Sequence, residues 1–333
     1  MNTQQKLQYI NSKMYNPKSF KYYGPKYLYK YRPFDEHTYD MLTTKTIYLC
    51  PANKLDDKTE CDTTMTLENY YDYKASGLKT SCVGEILNLI KPYCSKESFE
   101  EIVGYISQTI RRNGTIDNSY LLDVGPSIQE LVPNVNVSHL INWIINIPTI
   151  LEKPEIKSQL EDFFALATLA KEKMGICSFS EEMNDIDLWE GYADGSTGYC
   201  IEYNVEEYEF NVDILPTIYD ANREKNIIKA ILNNFIAQTI TGLSNNEIKL
   251  DASQIVRLFI SKHPEWESQK EWRLLGNAGS LQKAPKIKRI IIGKNATAEN
   301  KMALIKYCNL NHIEYENQEW LYKFIVCILA YLL

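Results

Sequence analysis

Three separated stretches of this sequence carry residue types that can act together on a ligand. The latest is Trp266-Glu267-Ser268-Gln269-Lys270-Glu271-Trp272-Arg273-Leu274-Leu275. Read as a strand, its side chains alternate, so Glu267, Gln269, Glu271 and Arg273 share one face. Trp266, Trp272 and Leu274 share the other, which should be core. Gln269 and Glu271 then project side by side into a cleft or into solvent. A carboxylate so placed can hold a hydroxyl group or stabilise positive charge on a reacting sugar. A solvated charged face is the structural alternative.

The middle stretch runs from Leu188 to Tyr203 and contains Trp189, Tyr192 and Tyr199 with Gly191, Gly195 and Gly198. The glycines let backbone approach a ligand or turn sharply. The aromatic rings offer flat faces to a planar base, although core packing is the simpler role for Trp189. No Gly-Lys-Ser/Thr follows, so this is not a phosphate-binding P-loop. The early stretch is Leu28-Tyr29-Lys30-Tyr31-Arg32. Alternation puts Tyr27, Tyr29 and Tyr31 on one face and Leu28, Lys30 and Arg32 on the other. Arg32 can make a bidentate contact with phosphate or carboxylate; a structural salt bridge is the alternative.

Other clusters are weaker. The acidic loop Asp56-Asp57-Lys58-Thr59-Glu60-Cys61-Asp62 would suit a metal-dependent nuclease, but its usual Glu-x-Lys partner is represented only by Glu247-Ile248-Lys249, outside any strand pattern. The four histidines form no HExxH or HxxxH pair, and no cysteines have zinc-knuckle spacing, so no metal site is expected. The basic residues Lys283, Lys286, Lys288, Arg289 and Lys294 read as a half-exposed, solvated strand.

The elements that must position these groups are legible in outline. Residues 3–14 read as a helix, and strands are expected at Tyr27–Arg32 and Thr46–Cys50. From about 83 to 173, apolar residues recur every three to four positions, with Pro126, Pro133, Pro148 and Pro154 dividing the stretch into several helices. This segment reads as a helical insertion or lid within a single domain spanning residues 1–333. Strands return at Ile176–Phe179, Gly198–Tyr203 and Glu209–Tyr219. Helices are expected at about 221–241 and 252–262, then strands at Trp266–Leu275 and Lys286–Ile292, a helix at 297–309 and a strand at 312–316. Strands at both ends with helices between them predict an α+β fold with a mixed, mostly antiparallel sheet.

The 333 residues are 44% hydrophobic and 24% charged, enough to bury a core. A net charge of −7 opposes a general nucleic-acid coat. The eight cysteines read as buried thiols, which together with the absence of a secretory signal points to the cytoplasm. The apolar run Leu321–Leu333 falls short of the roughly 20 residues that span a bilayer, so a buried closing element is expected and no membrane partner.

Taken in order, the three stretches resemble an uncharacterised bacterial domain family associated with abortive infection. Its pattern is L-Y-K-Y-R, then W-x-x-Y-A-x-x-x-x-G-x-C-I-E-Y, then E-x-E-W-R; here these fall at Leu28 to Arg32, Trp189 to Tyr203 and Gln269 to Arg273. The family's F-N-D-P loop is replaced by Leu55-Asp56-Asp57-Lys58. The order of parts is also similar to that of ADP-ribosyltransferases. That resemblance implies an ADP-ribosyltransferase-like sheet and NAD as substrate. It casts Glu271 and Gln269 as catalytic, Arg32 as the pyrophosphate ligand, and Tyr192, Tyr199 and Trp189 as ring-stacking groups. It further implies a toxin or phage-defence effector, with a protein partner or antitoxin and a base or amide as acceptor. The competing expectation is a sensor that binds a nucleotide or partner protein without chemistry. The transferase reading requires Arg32, Tyr199 and Glu271 to line one pocket.

Overall fold

The computed structural model describes residues 1–57, 60–61, 75–110, 116–221 and 252–318. The chain divides into two units. Met1–Cys61, Lys171–Arg223 and Phe259–Leu333 form one; Asp62–Ala170 and Glu224–Leu258 form the other. In chain order the elements begin with α1 (Thr3–Tyr15), β1 (Tyr27–Arg32), α2 (Thr38–Thr44), β2 (Thr46–Tyr48) and β3 (Cys50–Pro51). Five α-helices follow among the described residues: α3 (Ala75–Ile90), α4 (Lys96–Gln108), α5 (Asn118–Leu131), α6 (Val137–Leu151) and α7 (Pro154–Lys173). Then come β4 (Met174–Ser180), α8 (Ile186–Tyr192), β5 (Tyr199–Asn204), β6 (Ile214–Pro216) and β7 (Ile218–Tyr219). The chain continues through α9 (Ala252–Phe259), β8 (Ser261–Lys262), β9 (Glu271–Asn277), β10 (Leu281–Lys283), β11 (Lys286–Ile292), α10 (Ala298–Asn311) and β12 (Glu314–Asn317).

The main sheet has the order β12-β11-β5-β1-β4-β9-β6, with β3 also paired to β4. Only β11 and β12 run parallel; the other pairs in this sheet are antiparallel. This is the expected α+β architecture with a mixed, mostly antiparallel sheet. Registry fixes the two faces. Tyr29 lies opposite both Ser180 and Glu202, Ser180 opposite Glu271, and Ser178 opposite Arg273, so these side chains share one face. Arg32 opposite Tyr199, Lys30 opposite Ile201 and Phe179 opposite Trp272 belong to the other. A bulge between Ile287 and Arg289 puts those two residues on opposite faces despite their even spacing.

Several boundaries differ from the sequence reading, each for a local reason. The strand expected from Trp266 begins only at Glu271. Pro264, with its φ fixed, starts a 3-10 helix over Pro264–Gln269, and Lys270 then turns the chain through a left-handed φ of 42°. The strand expected at Thr46–Cys50 splits, since β2 pairs with β10 while β3 pairs with β4. Glu209–Tyr219 yields only the short β6 and β7, after a 3-10 turn at Asn211–Asp213. Pro126 and Pro148 lie inside α5 and α6 instead of ending them. The helix expected at 221–241 and the apolar run Leu321–Leu333 fall outside the described residues. Among the described helices, none is long and apolar enough to cross a membrane.

The second unit is a helical assembly in which α5 packs on α4 and α6, and α3 packs on α6. Its core is aliphatic, with Val83, Ile86, Ile102, Ile128, Ile141 and Ile144 all buried. Gln129 ties the α5–α6 turn, donating to the carbonyls of Val132 and Val135 and accepting from the Val137 N–H.

Gly198 shows what one glycine of the middle stretch does. A Cβ there would lie 2.1 Å from the Arg32 carbonyl oxygen, so its missing side chain lets β1 and β5 approach, not a ligand. Gly198→Ala is expected to destabilise by roughly 1–3 kcal/mol or more through forced backbone displacement. Gly191 is exposed in α8 with nothing within 4 Å of an added Cβ, so Gly191→Ala should be neutral or stabilising by up to about 1 kcal/mol. Urea unfolding of the two variants checks the contrast.

Candidate active site

Glu271 opens β9 with its backbone held at both ends. Its N–H donates to Tyr219 Oη at 2.8 Å, and its carbonyl accepts from Thr217 N at 2.9 Å. Before it, Ser180 Oγ donates to the Gln269 carbonyl at 2.7 Å and accepts from Glu182 N at 2.8 Å. The left-handed Lys270 between them turns Gln269 and Glu271 toward a common partner. Lys262 Nζ donates to Gln269 Oε1 at 3.0 Å and to Glu271 Oε2 at 2.9 Å.

The other Glu271 oxygen accepts from Arg273 Nε at 2.7 Å. Arg273 uses its remaining nitrogens on the Phe259 carbonyl at 2.9 Å and on Glu60 Oε2. Glu60 Oε1 in turn lies 3.4 Å from Lys262 Nζ. Two carboxylates and two cations thus form a closed ring, with Arg273 only 1% exposed and the other three no more than 5%. Burial on this scale is tolerated because each charge has an opposite partner and hydrogen bonds. For Glu271, burial alone would raise the pKa, but Arg273 and Lys262 outweigh it and hold the carboxyl at about 2. Burial opposes the Lys262 charge as well, and Glu271 and Glu60 reverse that and raise its pKa.

This ring forms part of the wall of a cavity of about 660 Å³. Tyr29, Tyr31, Tyr192 and Trp266 supply aromatic surface. Lys262 Nζ sits 5.2 Å from the Trp266 ring centroid, a cation–π contact. Among the described residues the Trp266 indole N–H is buried without a hydrogen-bond partner, an orphan donor at a cavity wall. Among the described lining residues, five carboxylates (Asp56, Asp57, Glu60, Glu265 and Glu271) outnumber the two cations whose side chains lie on this face, Lys262 and Arg273. The cavity therefore favours neutral or cationic ligands over anions.

The structure brings together Gln269, Glu271 and Tyr192 but not the other residues named for this site. Arg32 lies an odd number of positions from Tyr29, on the opposite face, and lines a second cavity with Tyr199. Tyr199 is itself buried. Trp189 packs in the core with Tyr31, Ala193, Cys200 and Ile291, and its Nε1 donates to the Met183 carbonyl at 3.2 Å. The expected convergence of Arg32, Tyr199 and Glu271 on one pocket is not found. Glu60 of the acidic loop does join Glu271, but both are occupied by Arg273 and Lys262. Among the described residues, no three His, Cys, Asp or Glu side chains are arranged to hold a metal ion. Asp62 and Glu247–Lys249 lie outside the described residues.

Three residues missing from the sequence-derived site matter most. Arg273 was on the correct face by alternation, but nothing in the sequence marked it as the buried bridge. Lys262 sits on a two-residue strand with no periodic signal. Trp266 reads as core only if a strand already runs through it; the 3-10 helix over Pro264–Gln269 places it at the cavity wall instead.

An ionised carboxylate with a pKa near 2 cannot shuttle protons near neutrality. It can still accept a ligand N–H or O–H, since each oxygen has a second lone-pair site. Its field on a developing cation is offset by two cations within 3 Å. The arrangement is better fitted to holding a ligand than to proton transfer. No curated protein and no solved structure matches the chain. Residues 188–274, which carry the middle and late stretches but not Leu28–Arg32, match a family described as a protein of unknown function, DUF2971, a description that assigns no activity.

Proposed function

We propose that the Glu271 cavity binds a neutral or cationic nucleoside-like group, and that the protein works as a nucleotide-binding sensor. The observation that carries this reading is the combination in one cavity of aromatic walls, an excess of carboxylates and the orphan Trp266 N–H. Planar rings stack on Tyr192 and Trp266, sugar hydroxyls or amines donate to the carboxylates, and a ring acceptor takes the indole proton.

A second reading is ADP-ribose transfer from NAD. It is favoured by the permanently ionised Glu271 beside Gln269 and Tyr192, and by the fit of the cationic nicotinamide ring to an acidic cavity. The pyrophosphate would then extend beyond the cavity without help from Arg32. A toxin or phage-defence role belongs to this second reading.

Calorimetric titration with nicotinamide riboside tests the first. Saturable binding is expected, weakened roughly threefold to tenfold by Tyr192→Ala through lost stacking, and weakened by Trp266→Phe, which keeps the ring and removes the donor. Failure of nicotinamide riboside and adenosine to bind at millimolar concentration would end this reading. Incubation with NAD separates the two. Nicotinamide release or an ADP-ribose adduct, lost in a folded Glu271→Gln variant, establishes transfer; NAD binding without either establishes the sensor.

A further inference from the structure

The second cavity, about 340 Å³, lies on the opposite face of the sheet, and its chemistry is the reverse of the first. Its described lining includes Lys30, Arg32, Lys45, Lys283 and Lys286, and no carboxylate. The apolar part of the wall comes from Met41, Tyr199, Ile201, Tyr203, Ile287 and Tyr307. We propose that this cavity is a binding site for a small organic phosphate, a phosphate monoester carried on an apolar or aromatic body.

The elements that build it explain why the cations converge. Lys30 and Arg32 project from the same face of β1 as Tyr199 and Ile201 of β5. The bulge in β11 keeps Ile287 on this face while sending Arg289 to the other, where it pairs with Glu202 and Glu316. Lys288 is likewise spent on Glu314. The basic cluster of this strand therefore divides: Lys288 and Arg289 are neutralised elsewhere, and Lys286, although it borders the cavity, lies opposite Asn204 on the Tyr27 face by register. Lys45 enters at a left-handed turn that ends α2, where its N–H caps the Met41 carbonyl and its own carbonyl accepts from Ala284 N at 2.7 Å. That bond fixes Lys45 beside the segment carrying Lys283 and Lys286.

The cations differ in how far they are already engaged. Lys30 Nζ donates to the Ser178 carbonyl, and Lys283 pairs with Glu209 at 3.0 Å. Arg32 reaches Asp35 at 3.5 Å and the Met41 sulfur at 3.1 Å through one nitrogen and also hydrogen-bonds the Tyr199 hydroxyl, leaving part of its five-donor fork for a ligand. Lys45 and Lys286 have no ion-pair partner among the described residues. A fork-shaped donor with a mobile ammonium group beside it, that of Lys45, matches a phosphate dianion. The cavity volume and tyrosine-rich wall suit a body the size of one aromatic ring.

Phenyl phosphate is the probe, with inorganic phosphate and phenol as controls, titrated calorimetrically at low ionic strength. Phenyl phosphate is expected to bind saturably and more tightly than inorganic phosphate, with phenol undetectable. The variant Lys45→Asn, which alters only an exposed side chain and keeps a residue tolerant of the left-handed turn, should weaken it roughly threefold to tenfold. Tyr192→Ala, in the other cavity, should leave it unchanged, which separates this site from the nucleoside reading. Undiminished affinity in Lys45→Asn, equal affinity for inorganic phosphate, or no binding to the wild-type chain at millimolar concentration would each overturn the proposal.

Discussion

Arg273→Met is expected to cost roughly 3–5 kcal/mol of unfolding free energy, the largest effect of any single substitution in the sheet. The guanidinium bridges Glu271 and Glu60 and also satisfies the Phe259 carbonyl. Methionine fills much of the same volume, so the loss is not a packing cavity. It is the exposure of two buried carboxylates to each other with only Lys262 between them. Removing one partner of a buried pair leaves an uncompensated charge in low dielectric, which is why the cost exceeds that of a surface ion pair several-fold. Adding Glu60→Gln to Arg273→Met removes one charge of each sign and should restore part of the loss. Urea unfolding of the wild type and both variants gives the comparison. A single-variant loss below about 1 kcal/mol would show that water enters the ring and screens it.

That same ring shows where the sequence was informative and where it was not. Period-two alternation in the sequence places Tyr29 and Tyr31 opposite Arg32 in β1, and the bounds of β1 and β11 are legible because both are unbroken runs flanked by turn residues. Alternation also implied that Arg32 and Tyr29 point apart. What it could not supply was which strand neighbours which, and hence that Glu271 falls on the Tyr29 side through Ser180. The pairing of Glu60 with Arg273 links positions 213 residues apart, a contact with no local signature. Around Pro264 the apparent alternation was misleading. The Trp266-to-Arg273 pattern fits a strand, yet proline-initiated 3-10 geometry wins up to Gln269 and swings Trp266 from the core to the cavity wall.

The acidic and the basic cavity both follow from this geometry. β1 carries tyrosines on one side and cations on the other, and β9 adds Glu271 to the tyrosine side only. A nucleotide that needed both an acidic nucleoside pocket and Arg32 for its phosphates would have to pass through the sheet. The three-residue transferase site expected from the linear order of motifs therefore resolves into two chemically opposite sites, each testable without the other.

The acid limb of the stability curve should carry the signature of Glu271. Its carboxyl titrates at about 2 in the folded chain against an ordinary value of 4.5, because Arg273 and Lys262 outweigh the burial that would otherwise raise it. The unfolded chain takes up this proton first as pH falls, so the contribution is complete above about pH 4.5 and is lost progressively toward pH 2. At 1.36 kcal/mol per unit, the shift corresponds to about 3 kcal/mol. Glu314 is also lowered, by its hydrogen bond to Lys288, but it is exposed, and salt should suppress its share. The buried ring is screened far less, so the dependence that persists in high salt belongs to the interior. Glu271→Gln is expected to be the less stable protein at pH 7, with a flatter acid limb, so that the two curves converge as pH approaches 2. Parallel curves over that interval, measured by chemical unfolding at fixed high salt, would mean that the Glu271 carboxylate is not held by the two cations in solution.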